Sequence, residues 1–181
     1  FYEKLDIKGI YEKEGYPVFR YCHGSLTSSK ELLIPENENL PSVMETLDVD
    51  LLICGHTHIQ SSRIYGNKKL IHPGSVGIPW YHGGKTQYMI LHGTEKGWEE
   101  EFFQLEYDVE AVKKEFETSV LNEKSFYWAK LNKHALSTGN DYTTPCLKLA
   151  MELCKEGEGN VNWPDIPEKY WKAAAQRFGI V

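Results

Sequence analysis

The sequence predicts an α/β protein with an α-helical C-terminal extension, and three observations carry that reading. An apolar run, Leu51-Leu52-Ile53-Cys54, leads straight into Gly55-His56-Thr57-His58, which is how a buried strand ends at the ligand edge of an open sheet. A second β-rich segment, residues 16–22, also ends in a histidine and glycine, His23-Gly24, and is separated from the first by a short amphipathic stretch. A helix between two such strands makes them parallel neighbours with both histidine loops on one edge. From Asp108 onward the period-2 patterning gives way to helical spacing.

In chain order, residues 6–15 are charged and read as a loop or the tail of an earlier element. Residues 16–22 follow as a strand, with Pro17 tolerated only at its start and Val18, Phe19, Tyr21 and Cys22 supplying β character. Residues 27–39 are polar, with Pro35 and Pro41 limiting any helix, and read as a loop along the rim of the site. A short helix spans residues 40–47, its buried stripe Val43, Met44 and Leu47, with Pro41 suited to the first turn. Asp48-Val49-Asp50 turns the chain into the organising strand. Residues 62–65 and 69–72 form a hairpin about Gly66-Asn67, and His72-Pro73-Gly74-Ser75 brings the backbone back to the site. Residues 87–92 and 99–106 pair as a further antiparallel ribbon that completes a sheet rather than a site, with His92 facing solvent.

Asp108 is positioned to cap a helix running to residue 121, with Val109, Val112, Phe116 and Val120 on one face. Further helices read over residues 125–136, 144–155 and 167–178. The chain therefore divides into residues 1–107 and a helical extension, 108–181, suited to a lid or an oligomer contact.

Composition narrows the class. With 181 residues, 41% hydrophobic and 25% charged, the chain can bury a sizeable core. A net charge of −6 provides no basic footprint for a nucleic-acid polymer. No apolar run approaches the roughly 18 residues that span a bilayer, and the opening Phe1-Tyr2-Glu3-Lys4 is no signal peptide, so no membrane partner is expected. Cys22, Cys54, Cys146 and Cys154 sit on apolar strand ends or on a helix, which reads as buried reduced thiols in a cytoplasmic protein.

Imidazole is the commonest protein ligand for divalent transition metals, and two of them one residue apart on a turn can reach adjacent coordination positions. On spacing alone His56 and His58 are equally a metal pair or two surface histidines. A zinc cluster of Cys22, His23, Cys54 and His56 is disfavoured because adjacent strand residues face opposite sides and no Cys-x-x-Cys knuckle is present.

Taken together, Cys22-His23-Gly24-Ser25, Gly55-His56-Thr57-His58 and His72-Pro73-Gly74-Ser75-Val76-Gly77-Ile78-Pro79 resemble the second half of a calcineurin-like metallophosphoesterase, most of all its small bacterial branch. The resemblance covers about residues 7–106 and implies the second half of a β-sandwich flanked by helices. It implies two divalent ions, Mn or Fe with Zn as the alternative, His23 and His56 on one and His58 on the other. The implied chemistry is phosphoester hydrolysis, as phosphodiesterase or phosphatase, on a phosphorylated small molecule or nucleotide. The family's Asp-x-His, Gly-Asn-His and related earlier motifs do not occur here, and they carry the bridging carboxylate and the acid histidine. The expectation is a carboxyl-terminal part of a longer protein, inactive alone, whose three histidines could still hold one ion. His72 stands where the family usually has Asn, and either orients the turn or adds a donor near phosphate, with the turn role favoured. Ser75 belongs to the same loop, Trp80 and Tyr81 could stack on a base, and His82 could touch a leaving group. A non-catalytic protein-binding scaffold of the same fold is the competing class.

Overall fold

The computed structural model describes residues 8–181, so Asp6 and Ile7, at the start of the expected N-terminal loop, lie outside the described residues. By contacts the chain divides into two compact units, residues 1–79 with 85–105, and residues 80–84 with 106–181.

The first unit is built on a five-stranded sheet. Strand β1 (Lys8–Tyr11) runs antiparallel to β2 (Phe19–Cys22), and β2 is parallel to β3 (Leu51–Ile53). On the other side of β3 lies β5 (Lys68–His72), again parallel, with β4 (Ser61–Tyr65) antiparallel at the far edge. The order is β1-β2-β3-β5-β4. The three central strands thus point their carboxyl ends the same way, and those ends carry His23, Gly55-His56 and His72. Strand β1 replaces the loop alternative over residues 8–11 and is compatible with the other, the tail of an earlier element. Its residues are almost all exposed and show no alternation, so only pairing with β2, Gly9 opposite Tyr21, reveals it.

Helix α1 (Leu40–Glu45) connects β2 to β3 and buries Leu40 and Met44 on the sheet. Leu40, Met44 and Leu47 pack with Leu52, Cys22, Cys54 and Leu70, and Leu33 anchors the preceding loop in the same cluster. In a separate two-stranded ribbon, β6 (Lys85–Thr94) extends two residues beyond the expected strand at each end, and β7 (Gly97–Glu106) starts two residues early and ends where expected. Trp98 of β7 ties it to the larger sheet, meeting Tyr11 and Phe19 edge-on at 5.7 and 5.2 Å and donating from Nε1 to the Pro17 carbonyl. Lys69 and Glu100 form an ion pair at 2.8 Å between the same layers. His92 is exposed and meets Glu101 at 3.1 Å.

The second unit is helical: α2 (Val109–Thr118), α3 (Val120–Lys124), α4 (Phe126–Thr138), α5 (Thr143–Glu158) and α6 (Glu168–Arg177). Asp108 caps α2 as expected, accepting from the Ala111 amide at 2.9 Å. The single helix predicted to residue 121 is interrupted at Ser119. Its extended backbone ends α2, and its hydroxyl accepts from the Asn122 amide to start α3, the local competition that serine offers a helix. Leu131, Cys146, Ala150, Cys154, Ile166, Ala174 and Ala175 form the core of this unit. All four cysteines are buried and free. Among the described residues, no helix is long and apolar enough to cross a membrane.

Candidate metal centre

The site begins with the parallel strand ends. Between β2 and β3 the Gly55 amide donates to the His23 carbonyl at 2.8 Å, pinning the two histidine loops together. Glycine at 55 suits this close approach, because a Cβ there would stand a tight 3.3 Å from both the His23 carbonyl and its Nδ1. The His23 and His56 rings lie 5.0 Å apart between centroids, inclined at 58°. Two imidazoles on one ion, with metal–nitrogen bonds of about 2.0–2.1 Å, place their centroids about 5 Å apart. His23 and His56 therefore fit as two ligands of a shared cation.

The turn that presents them is strained. His56 has φ +74° and His58 φ +58°, both left-handed, and the Thr57 amide donates to the Gly55 carbonyl at 2.9 Å across His56. A three-residue turn with a positive central φ is the rare, high-energy form of the γ-turn, costing on the order of 1–3 kcal/mol. Such backbone persists only where its surroundings hold it.

His58 is fixed by a second contact. Its Nδ1 lies 2.8 Å from the Ile78 carbonyl. A carbonyl only accepts, so Nδ1 donates in this contact, which is how metal-binding imidazoles are commonly oriented. Burial, reinforced by the neighbouring His23 and His58, pushes the His56 pKa below its usual value and keeps that ring neutral and able to donate electrons.

His72 ends β5 and is 3% exposed. The Gly74 amide donates to its Nδ1 at 2.9 Å, which orients the turn and places the proton of the neutral ring on Nε2. Among the described residues that Nε2 is buried without a well-formed hydrogen bond, as are both side-chain amide atoms of Gln87, itself 1% exposed, and the Gly55 backbone is near enough to act on the His72 ring. Burial above all, with the nearby His58 next, pushes the His72 pKa down to about 4. Ser75 is engaged in the turn, its hydroxyl accepting from the Ile78 amide at 3.1 Å and its carbonyl from the Gln87 amide at 2.9 Å. Ser25, too, has a turn role: its hydroxyl accepts from the Ser28 amide at 3.0 Å. Burial raises the Cys22 thiol to about 11 and Cys54 to about 12, so neither supplies a thiolate.

Among the described residues no group of three or more His, Cys, Asp or Glu side chains is arranged to hold a metal ion. His23 and His56 make a two-ring pair, and His58 is held by the Ile78 carbonyl. The ligand pair fits a cation, and the set is incomplete.

Trp80, Tyr81 and His82 belong to the second unit. The Tyr81 amide donates to the Gly139 carbonyl at 2.9 Å, the Tyr81 ring is 76% exposed, and its φ is +67°. His82 is exposed and Trp80 half-buried. The residues that sequence reasoning missed are Gln87 and the Ile78 carbonyl. Gln87 reads only as one more position in a strand, and a carbonyl leaves no trace in residue identity.

No protein-family model matches the sequence, and no curated protein matches it. Solved structures do. A hypothetical protein from Pyrococcus horikoshii superposes with a TM-score of 0.58 at 17% identity, over 76% of this chain and 52% of that one. A metallophosphoesterase from Sphaerobacter thermophilus superposes with a TM-score of 0.55 at 18% identity, over 76% of this chain and 61% of that one. A zinc complex of Vps29 from Entamoeba histolytica is similar over 57% of this chain and 62% of that one, with a TM-score of 0.40 at 23% identity. The likeness defines a mixed α/β protein of metallophosphoesterase-like fold. The chain spans 52% and 61% of the first two structures' lengths.

Proposed function

We propose that this chain supplies half of the metal site of a phosphoester hydrolase, with His23 and His56 on one divalent ion and His58 on a second, the phosphodiesterase or phosphatase activity residing in the whole protein. The observation that carries the reading is the His23–His56 ring pair at 5.0 Å on two parallel strand ends, with His58 held next to it by the Ile78 carbonyl. A bound divalent pair would supply positive charge to phosphoryl oxygens and lower the pKa of a coordinated water. This chain's own contribution is to hold the imidazoles of His23, His56 and His58 on one edge of the sheet, with His72 buried beneath the turn that follows β5. Mn or Fe suits imidazole and carboxylate ligands, with Zn the alternative. The substrate class proposed is a phosphorylated small molecule or nucleotide.

A second reading, a protein-binding scaffold of the same fold, is favoured by the lack of a three-ligand group among the described residues. One experiment separates them. The full-length product containing this chain, never exposed to chelator, is assayed for metal content and for bis(p-nitrophenyl) phosphate hydrolysis. At least one equivalent of Mn, Fe or Zn, lost on His56→Ala or His58→Ala together with hydrolysis, supports the hydrolase. A folded, metal-free and inactive product supports the scaffold.

A further inference from the structure

The second unit carries a cavity of its own, of about 590 Å³, between the start of α4 and the segment leading into α6. Three tryptophans, Trp128, Trp163 and Trp171, line it. Trp128 is the middle wall, with Trp171 at 5.8 Å and inclined 78°, and Trp163 at 6.3 Å and inclined 56°. Rings set at such angles are walls of a corner rather than a stack, and all three border the same space. Trp163 stays 56% exposed, a large cost for an indole that does nothing but fill a core.

Charge states what the space suits. Glu123, Asp165 and Glu168 line the same cavity, and Lys124 is its one cationic residue. Among the described residues none of these three carboxylates has an ion pair, whereas the nearby acids Glu117 and Glu158 are matched with Lys133 and Lys169. The rim therefore keeps uncompensated negative charge beside aromatic faces. Lys130 already places its ammonium 4.9 Å from the centroid of Phe126, another lining residue, so one ring of this wall holds a cation within the protein itself.

We propose that this cavity binds an organic cation with an alkylated ammonium head, the head against the indoles and the carboxylates at the mouth supplying long-range attraction. An alkylated ammonium is weakly hydrated and apolar-surfaced, so it leaves water for an aromatic corner at small cost. A guanidinium also stacks on aromatic faces, but its planar fork gains most from a bidentate carboxylate in a desolvated site, and Glu123, Asp165 and Glu168 are all exposed. The proposal does not depend on the metal reading, since every residue in it belongs to the helical unit.

The probe is choline, titrated into the full chain and followed by tryptophan fluorescence and calorimetry, with sodium chloride at matched ionic strength as the blank. Its carbon isostere, 3,3-dimethyl-1-butanol, reports what shape and apolarity alone achieve. Saturable binding of choline, about tenfold or more tighter than the isostere, is expected. Trp163→Ala and Asp165→Asn, both at exposed positions and checked for unchanged circular dichroism, are each expected to weaken choline severalfold without moving the isostere to the same extent. Equal binding of choline and isostere would overturn the proposal in favour of an apolar slot. Tighter binding of free arginine than choline would overturn it in favour of a guanidinium site, and no saturable signal from choline would overturn it outright.

Discussion

Replacing Gly74 by alanine probes the turn that delivers His72. Gly74 has φ +96°, and an added Cβ would stand 2.5 Å from Gln87 Oε1 and 2.6 Å from Gln87 Cβ. Gln87 has nowhere to retreat: it is 1% exposed and its amide donates to the Ser75 carbonyl at 2.9 Å. A left-handed backbone costs a non-glycine residue about 1–2 kcal/mol, and forcing extra volume into a packed site costs about 1–3 kcal/mol. Gly74→Ala should therefore destabilise by about 2–5 kcal/mol, a large share of the about 5–15 kcal/mol that holds a typical domain. The assay is urea unfolding of chelator-treated protein, with Gly77→Ala as control. A Cβ at Gly77 meets nothing within 4 Å, so that change should stay within about 0.5 kcal/mol. Adding Gln87→Gly separates the two costs: measured against Gln87→Gly alone, the packing part should vanish and the backbone part remain. If Gly74→Ala unfolds at the same urea concentration as Gly77→Ala, the close approach of this turn to Gln87 is wrong.

Three further outcomes follow from the same structure. The His72 pKa is pushed from 6.5 to about 4 in the folded state, so below pH 6.5 the unfolded chain binds the extra proton first. Stability of metal-free protein is thus fully present above pH 6.5 and falls by about 3 kcal/mol as pH drops toward 4, at about 1.36 kcal/mol per unit. Denaturation at pH 7 and 4.5 checks it, and a His72→Asn variant with an equally steep loss would refute the assignment to this ring. Leu52, 0% exposed in the sheet core, should cost about 2–5 kcal/mol when cut to alanine, read as a lower urea midpoint. Asp108→Ala removes the α2 cap and should cost about 1 kcal/mol, seen as faster amide exchange in the first turn of α2 while α5 is unchanged.

What could be read from sequence was what local chemistry dictates. The strand ending at Gly55-His56, the parallel pairing of β2 with β3 and the Asp108 cap all follow from period, crossover length and residue type. The missed features are tertiary. Strand β1 exists because β2 offers an unpaired edge, not because residues 8–11 alternate. The break at Ser119 turns on whether its hydroxyl faces forward to Asn122, which helical spacing does not encode. At the site, the motifs supplied the identities of the histidines but not their state. That Ile78 sets the His58 tautomer and that Gly74 sets that of His72 are matters of backbone carbonyls and amides, common to every residue.

The backbone at His56 is where the functional argument is strongest. A surface histidine with no task gains nothing from a left-handed φ, and glycine or asparagine at 56 would relieve the strain. Here two left-handed histidines flank Thr57, itself 7% exposed, so the turn is held from beneath while the rings are presented above it. On the proposed function, a bound group that needs those rings at that spacing offsets this cost. Binding should then offset strain and imidazole crowding at once. Adding Mn(II) or Zn(II) to the full-length product should raise its thermal midpoint, and His56→Gly should raise the metal-free midpoint relative to His56→Ala while abolishing the metal-induced rise. A His56→Gly variant that keeps the full metal response would show that the ring at 56 is not a ligand, and the strain there would need another cause.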